Sequence, residues 1–260
     1  MIERTEHDDV TAWRLSWWRS RVAGYSVYVY LIRGVLIDTG FPAAERDLLR
    51  LVHDRKPRGV FVTHEHEDHA GNVQALASLG LPMAMSAPTA VSIRDVARIP
   101  PYRRFTWRSM DSLSAPVTEF ADVSFTLEPA PGHSPDHHVV WDHETETLFA
   151  GDHFLGVKVR IAHAHEDPRE HVRSLRALLT RRPRRVFCAH RGLLPHGAAL
   201  LAAKADWMDE MIGRVETLSA AGRNVEEIRR ELLGARTRTH YVSAGEYSPD
   251  NFVRAVLRNG

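Results

Sequence analysis

Thr63-His64-Glu65-His66-Glu67-Asp68-His69-Ala70-Gly71-Asn72 places three histidines and three carboxylates directly after the apolar run Val60-Phe61-Val62. The apolar run reads as a buried strand, and residues 70–79, with Val73, Leu76 and Ala77 on one side, read as a helix. In one continuous helix His64 and His66 would point to nearly opposite sides. At a strand end they share a face, because strand side chains alternate. Asp68 and His69 then fall on the turn that enters the helix. The stretch divides into two pairs, His64/His66 and Asp68/His69, aimed from adjacent backbone segments. Two pairs suit two metal ions better than one. Glu65 and Glu67 are read as spacers that point away.

Each ion needs further ligands, and three later stretches offer them. Ala130-Pro131-Gly132-His133 sets His133 in a Gly/Pro turn after a strand. Phe149-Ala150-Gly151-Asp152-His153 sets Asp152 just past another strand, and Phe187-Cys188-Ala189-His190 does the same for His190. A ligand-type residue at each strand end is what a cleft formed by converging loops requires.

The rest of the chain supplies the frame. Short β-branched and aromatic runs at Val27–Ile32, Val35–Ile37, 60–62, 82–86, 123–127, 138–141, 147–150 and 186–189 predict strands. Arg33-Gly34 and Glu144-Thr145-Glu146 read as tight hairpin turns. Helices are predicted over 42–54 and 167–182, the latter opened by Asp167 as cap and Pro168 at its first position. Mixed hairpins and strand–helix alternation give an α/β layered sandwich. After Pro195 the pattern turns helical, over 198–221, over 225–233 behind Asn224, and from Ser248-Pro249-Asp250 onward, with no strand signal. The division is 1–195 for the sandwich and 196–260 for a helical C-terminal region packed on it. Residues 88–116, with Tyr102-Arg103-Arg104-Phe105-Thr106-Trp107-Arg108, are irregular and read either as a solvated connection or as a lid.

HxHxDH at 64–69, PGH at 131–133, GD at 151–152 and a strand-end His190, in that order, resemble the metallo-β-lactamase superfamily. The resemblance runs from about Val27 to Arg191. It implies a four-layer αβ/βα sandwich, here with an added helical C-terminal region, and metals at one edge. It implies His64, His66 and His133 on the first metal, Asp68, His69 and His190 on the second, and Asp152 bridging both. The setting Cys188-Ala189-His190-Arg191-Gly192 departs from the family's glycine-rich form. Asp38 resembles the family's strand-end support for a metal ligand. His137 resembles the second histidine of its PGHxxxH turn, although Asp136 stands where glycine is common.

The implied function is a metal-dependent hydrolase. Two divalent ions hold a hydroxide that attacks an ester, thioester or lactone carbonyl of a small molecule. Asp68 and Asp152 are the catalytic carboxylates, with Asp68 also relaying a proton. All-His/Asp ligation points to zinc first, with iron and manganese as alternatives. The alternative activities on this scaffold are an iron-dependent thiol or persulfide oxidoreductase and a phosphodiesterase or nuclease. Trp17 and Trp18, on an expected hairpin loop over the cleft, and His153 are candidate substrate contacts. His163 and His165 are expected exposed or at the cleft rim.

Composition narrows the classes. A formal net charge of +1 gives no global field toward nucleic acid or an anionic membrane. The single cysteine, Cys188, excludes an intramolecular disulfide and a Cys-based zinc site, and fits a reducing cytoplasm. The acidic, polar N-terminus does not read as a signal peptide, and no apolar run reaches the ~20 residues of a membrane span. The 198–221 helix carries Leu200, Leu201, Trp207, Met208 and Met211, which either cover the core or meet a second copy in a homo-oligomer.

Overall fold

Two mixed β-sheets face each other, and each carries helices on its outer face. The computed structural model describes residues 1–96 and 99–258. The first sheet runs in chain order: β1 (Ile2–His7), β2 (Val10–Leu15), β3 (Val27–Ile32), β4 (Val35–Ile37), β5 (Gly59–Phe61) and β6 (Met83–Ala84). Its first four strands are antiparallel, and β4, β5 and β6 are parallel. The second sheet comprises β7 (Phe125–Pro129), β8 (His138–Asp142), β9 (Thr147–Phe149), β11 (Arg185–Cys188) and β12 (Gly192–Leu193), ordered β12-β11-β9-β8-β7. A separate ribbon pairs β10 (Ala162–His163) with β13 (Tyr247–Ser248).

The layers follow from alternation along the strands. In β4, Val35 and Ile37 face the core between the sheets, while Leu36 faces the outer helices. In β11, Phe187 faces the inter-sheet core, while Val186 and Cys188 face outward into a third core. Strands apolar on both faces need cover on both, which yields four layers. On the first sheet the cover is α2 (Glu45–Arg55) and α3 (Val73–Ser78), through Leu48, Leu51, Val73 and Leu76. On the second it is α6 (Pro168–Thr180), α7 (Gly197–Ala220) and α10 (Pro249–Arg258), with α8 (Val225–Leu232) beside them. Leu175, Leu201, Met208, Ile228, Phe252 and Val256 share that one core. Shorter helices are α1 (Trp18–Ala23), α4 (Ala87–Ser92), α5 (Pro101–Trp107) and α9 (Arg238–Val242).

Local signals explain most boundaries. Arg33 and Gly34 both have positive φ, the geometry of a tight hairpin between twisted strands. Asp167 Oδ1 accepts from the N–H groups of Arg169 and Glu170, capping α6. Asn224 and Glu227 cap α8 reciprocally.

Three expectations change. Strand β1, too polar to signal itself, is recruited by register with β2, so the N-terminal hairpin turns at Asp8-Asp9. Trp18 instead opens α1. The region after Pro195 does hold a strand, because β13 is two residues long and visible only through its partner β10. Residues 88–116 contain all but the first residue of α4 and the whole of α5, and the part at 97–98 lies outside the described residues. No helix among the described residues is long and apolar enough to cross a membrane.

Candidate metal centre

Strand β5 stops at Phe61, so alternation along a strand does not place His64 and His66. A hydrogen-bonded turn does: the N–H groups of His69 and Ala70 both donate to the His66 carbonyl, at 2.9 and 2.8 Å. Asp136 ties this turn to the next one. Its Oδ2 accepts from the Glu65 N–H and the Thr89 hydroxyl, both at 2.8 Å, and its Oδ1 accepts from the Ser134 hydroxyl at 2.6 Å. The unusual residue before His137 is therefore a buried strut between two donor loops.

The turn brings different nitrogens of the two histidines together. His64 Nε2 lies 3.0 Å from His66 Nδ1, and His133 Nε2 lies 3.1 Å from that same atom. Across the site, Asp68 Oδ2 lies 3.4 Å from His190 Nε2. Asp152 stands between the groups. Its Oδ2 is 3.4 Å from His133 Nε2, and its Oδ1 is 3.3 Å from both His69 Nε2 and His190 Nε2. Donor atoms of His64, His66, His133 and Asp152 form one group, and those of Asp68, His69 and His190 another; within each, they lie within 4.8 Å of one another.

Neighbouring groups set the tautomers. His69 Nδ1 donates to Asp38 Oδ2 at 2.8 Å, and His190 Nδ1 donates to the Ser26 carbonyl at 2.7 Å, so both Nε2 atoms face inward. Asp38 also accepts from the Thr63 N–H at 2.8 Å and the Thr63 hydroxyl at 3.0 Å, in a left-handed backbone conformation with φ 61°. His137 Nδ1 donates to the Ala130 carbonyl, which leaves Nε2 to accept the Asp152 N–H, both at 3.1 Å. That contact needs Gly151. Its φ is +51°, and a Cβ there would sit 2.6 Å from His137 Nε2.

The donor set fits divalent cations. His66 Nε2, His69 Nε2 and Asp152 Oδ1 are buried with no hydrogen-bond partner. Three imidazole nitrogens meet around His66 Nδ1, where at most one proton can serve each contact. Burial, then the neighbouring imidazoles, hold His64 well below the usual imidazole pKa. Burial pushes His133 down to about 3, against the pull of Asp152. These rings are neutral and ready to ligate. Burial also opposes charge on His69 and His190, but the carboxylates around them, Asp152 foremost, hold both well above the usual range. Protons there stand where cations would balance Asp68 and Asp152.

A cavity of about 680 Å³ opens over the centre, with His66, Asp68, His133, Asp152 and His190 in its floor. Its volume suits a small molecule.

The fold, the order of the donors and their convergence can now be set beside known proteins. The model of the metallo-beta-lactamase superfamily matches residues 22–190. The chain belongs to the metallo-β-lactamase superfamily. Among solved structures, a metallo-beta-lactamase family protein from Thermus thermophilus superposes with a TM-score of 0.68 at 17% identity, covering 97% of this chain and 94% of that one. The DIM-1 metallo-beta-lactamase gives 0.61 at 17% identity, covering 80% and 97%. These likenesses show the metallo-β-lactamase fold. A protein named hydroxyacylglutathione hydrolase from Tolumonas auensis is 31% identical over 129 residues, 48% of this chain and 46% of its own length. A beta-lactamase-like protein 2 homolog from Drosophila melanogaster is 28% identical over 179 residues, 61% of this chain and 54% of its own. The chain spans about half the length of the curated relatives it matches.

On this metallo-β-lactamase scaffold the substrate-contact expectations are corrected. Trp17 and Trp18 do not line the cavity. The Trp17 indole donates to the Thr106 carbonyl at 2.5 Å, and Trp18 is half exposed against Phe105. Their place is taken by α5, which lines the cavity with Tyr102, Arg103, Thr106 and Trp107. His153 is fully buried, its ring between His137 and His171, with Nε2 donating to the Ala130 carbonyl at 2.6 Å. His163 lines the cavity, and His165 stacks on it. Cys188 is buried, its thiol donating to the Phe154 carbonyl.

Glu67 is no outward spacer. It is 2% exposed and receives Arg103 in a two-pronged ion pair, Nε on Oε1 at 2.7 Å and Nη2 on Oε2. Arg103 Nη1 also reaches Glu246 Oε1 at 3.4 Å, so one guanidinium joins the donor turn, α5 and the C-terminal region. Lys204, on α7, is buried beneath the site. Its Nζ donates to the His153 carbonyl at 2.6 Å and to His171 Nε2 at 3.1 Å. Neither pairing has a local sequence signal, because its partners lie far apart in the chain.

Proposed function

We propose that the chain is a metal-dependent hydrolase that opens an ester, thioester or lactone of a small molecule, using two divalent ions, zinc first. The observation that carries this reading is Asp152, whose two carboxylate oxygens face two separate donor groups at the floor of an open cavity. A structural zinc site is usually a closed tetrahedron around one ion. Here His64, His66, His133 and Asp152 would hold one ion, and Asp68, His69, His190 and Asp152 the other. Bound there, the ions would supply Lewis-acid activation of water and of the carbonyl under attack. Imidazole and carboxylate donors without thiolate suit zinc and leave iron and manganese chemically open.

The chain's own groups do the rest. Asp38, Ser26 and His137 keep His69, His190 and Asp152 turned inward. Asp68 lies in the cavity floor, where its carboxylate can take a proton from the attacking water and return it to the leaving group. Apart from Asp68 and Asp152, the acidic and basic side chains lining the cavity are all basic: Arg14, Arg103, Lys158, Arg160 and Arg191. That sign favours a substrate carrying negative charge. The name of the Tolumonas relative supports hydrolysis as the reaction class.

Metal analysis of purified protein should find close to two equivalents, falling on His64→Ala and on Asp152→Ala. A panel of esters, thioesters, lactones, β-lactams and phosphodiesters should then identify the bond, with His66→Ala as control. Full hydrolysis by metal-free protein would overturn the proposal.

A further inference from the structure

The cavity has a wall as well as a floor, and the wall carries polar atoms with nothing to bind. Tyr102 comes from α5, His163 from β10 and Tyr247 from β13, and all three line the cavity. Tyr102 Oη is buried without a hydrogen-bond partner, and so is His163 Nδ1. The nearest carboxylate to that nitrogen, Glu246 Oε1, stands 3.7 Å away. Tyr247 packs its ring 4.4 Å from the His163 ring, and its hydroxyl, unlike the Tyr102 oxygen, is not a buried orphan. The His163 ring lies 5.9 Å from that of His66, so the wall begins directly beside the floor.

The buried Tyr102 hydroxyl, without a partner, has lost the hydrogen bonds it had in water. A ligand that restores the bond recovers that loss, and one that lacks the matching atom leaves it in place. Arg103, the neighbouring cation, is already occupied by Glu67 and Glu246. The free valences are thus the buried Tyr102 O–H and one imidazole nitrogen, with the Tyr247 phenol lining the cavity beside them. Phenols in this setting donate to oxygen acceptors.

We propose that Tyr102, His163 and Tyr247 form a recognition wall for an oxygen acceptor on the acyl part of the substrate, a hydroxyl, keto or carboxylate oxygen close to the carbonyl under attack. The inference rests on the hydrolase reading and adds the substrate class to it. It also makes the C-terminal region part of substrate selection, since Tyr247 stands on β13 and is held there by pairing with His163. A plain alkyl acyl group would fit the space and leave the wall unsatisfied.

The test uses the metal-loaded, full-length protein and one leaving thiol, N-acetylcysteamine. It carries butanoyl, 3-hydroxybutanoyl, 3-oxobutanoyl or succinyl groups. At least one oxygenated thioester should exceed butanoyl in kcat/KM by about 10- to 100-fold. Which one leads separates hydroxyl, keto and carboxylate. Tyr102→Phe and Tyr247→Phe should each reduce that ratio about tenfold. A purely structural role would lower all rates together and leave the ratio where it was. A wild-type ratio near one, or a ratio unmoved in both variants, overturns the wall. If no thioester or other acyl bond is cleaved, the hydrolase reading fails instead. The wall is then tested by calorimetric binding of the free acids to metal-loaded protein. Preference for an oxygenated acid over butanoate that weakens in both Phe variants supports it; equal binding overturns it.

Discussion

At the residue scale, the centre depends on groups that hold the donors more than on the donors alone. Asp38 makes three hydrogen bonds and so fixes both Thr63 and the His69 ring. Asp38→Ala should weaken the ion held by Asp68, His69 and His190 about 10- to 100-fold, read by chelator competition, while the ion on His64, His66 and His133 changes less. Lys204 offers a test of stability against pH. Burial lowers its pKa from 10.5 to about 8, against the pull of Glu166. Between those values the unfolded chain binds more protons at this site than the folded one, so its contribution to stability rises with pH across about 8 to 10.5. Urea unfolding of wild type and Lys204→Met should show the difference between them moving toward wild type by about 3 kcal/mol over that window. A flat difference would refute the assignment. As candidate donors, His64, His66, Asp68 and His69 were legible because spacing within a motif is local information, and His133, Asp152 and His190 through their places after strands and resemblance to a family. Their supports were less so: Asp38 and His137 stood out through resemblance to a family, whereas Lys204 and the true place of Glu67 depend on side chains that meet only after folding.

At the element scale, α5 is tied to the donor turn by one buried ion pair, beside its packing on Trp17, Trp18 and Phe41. Glu67→Ala would leave the Arg103 guanidinium largely buried with only the weaker Glu246 contact, and should cost about 3–5 kcal/mol by urea unfolding. The double variant Glu67→Leu/Arg103→Met should recover most of that loss, because two apolar groups leave no charge behind. Recovery of stability without recovery of activity would separate the clamp's mechanical part from any part in binding. The sequence showed α2, α6, α7 and α8 clearly, since each has either a cap or an apolar stripe of helical period. It did not show β1, which exposes nearly all its residues and exists by pairing with β2. Nor did it show β10 and β13, which are too short to carry any period. Local pattern predicts elements that bury a face and is silent on those held by a neighbour.

At the scale of the whole molecule, the helices after Pro195 close the core behind the second sheet instead of standing apart from it. Deleting everything after Arg236 would expose the faces that Phe252, Val253 and Val256 cover. Each such side chain contributes about 1.5–3 kcal/mol on burial, which together approaches the whole stability of an ordinary domain. The truncated chain, free of metal, should therefore lack a cooperative urea transition and a near-ultraviolet dichroism signal. The layered α/β sandwich was legible from mixed hairpins and strand–helix alternation, and its four layers through resemblance to a family; the cavity wall was not, since it joins α5, β10 and β13 from distant parts of the chain. That arrangement has a consequence for the order of synthesis. Every donor from His64 to His190 leaves the ribosome well before Tyr247 does. With ions present to add their binding energy to folding, the metal floor can assemble on a nascent chain while the wall beside it still lacks Tyr247. A ribosome-bound chain stalled before β13 should bind the ions and yet tell one acyl group from another less well than the finished chain.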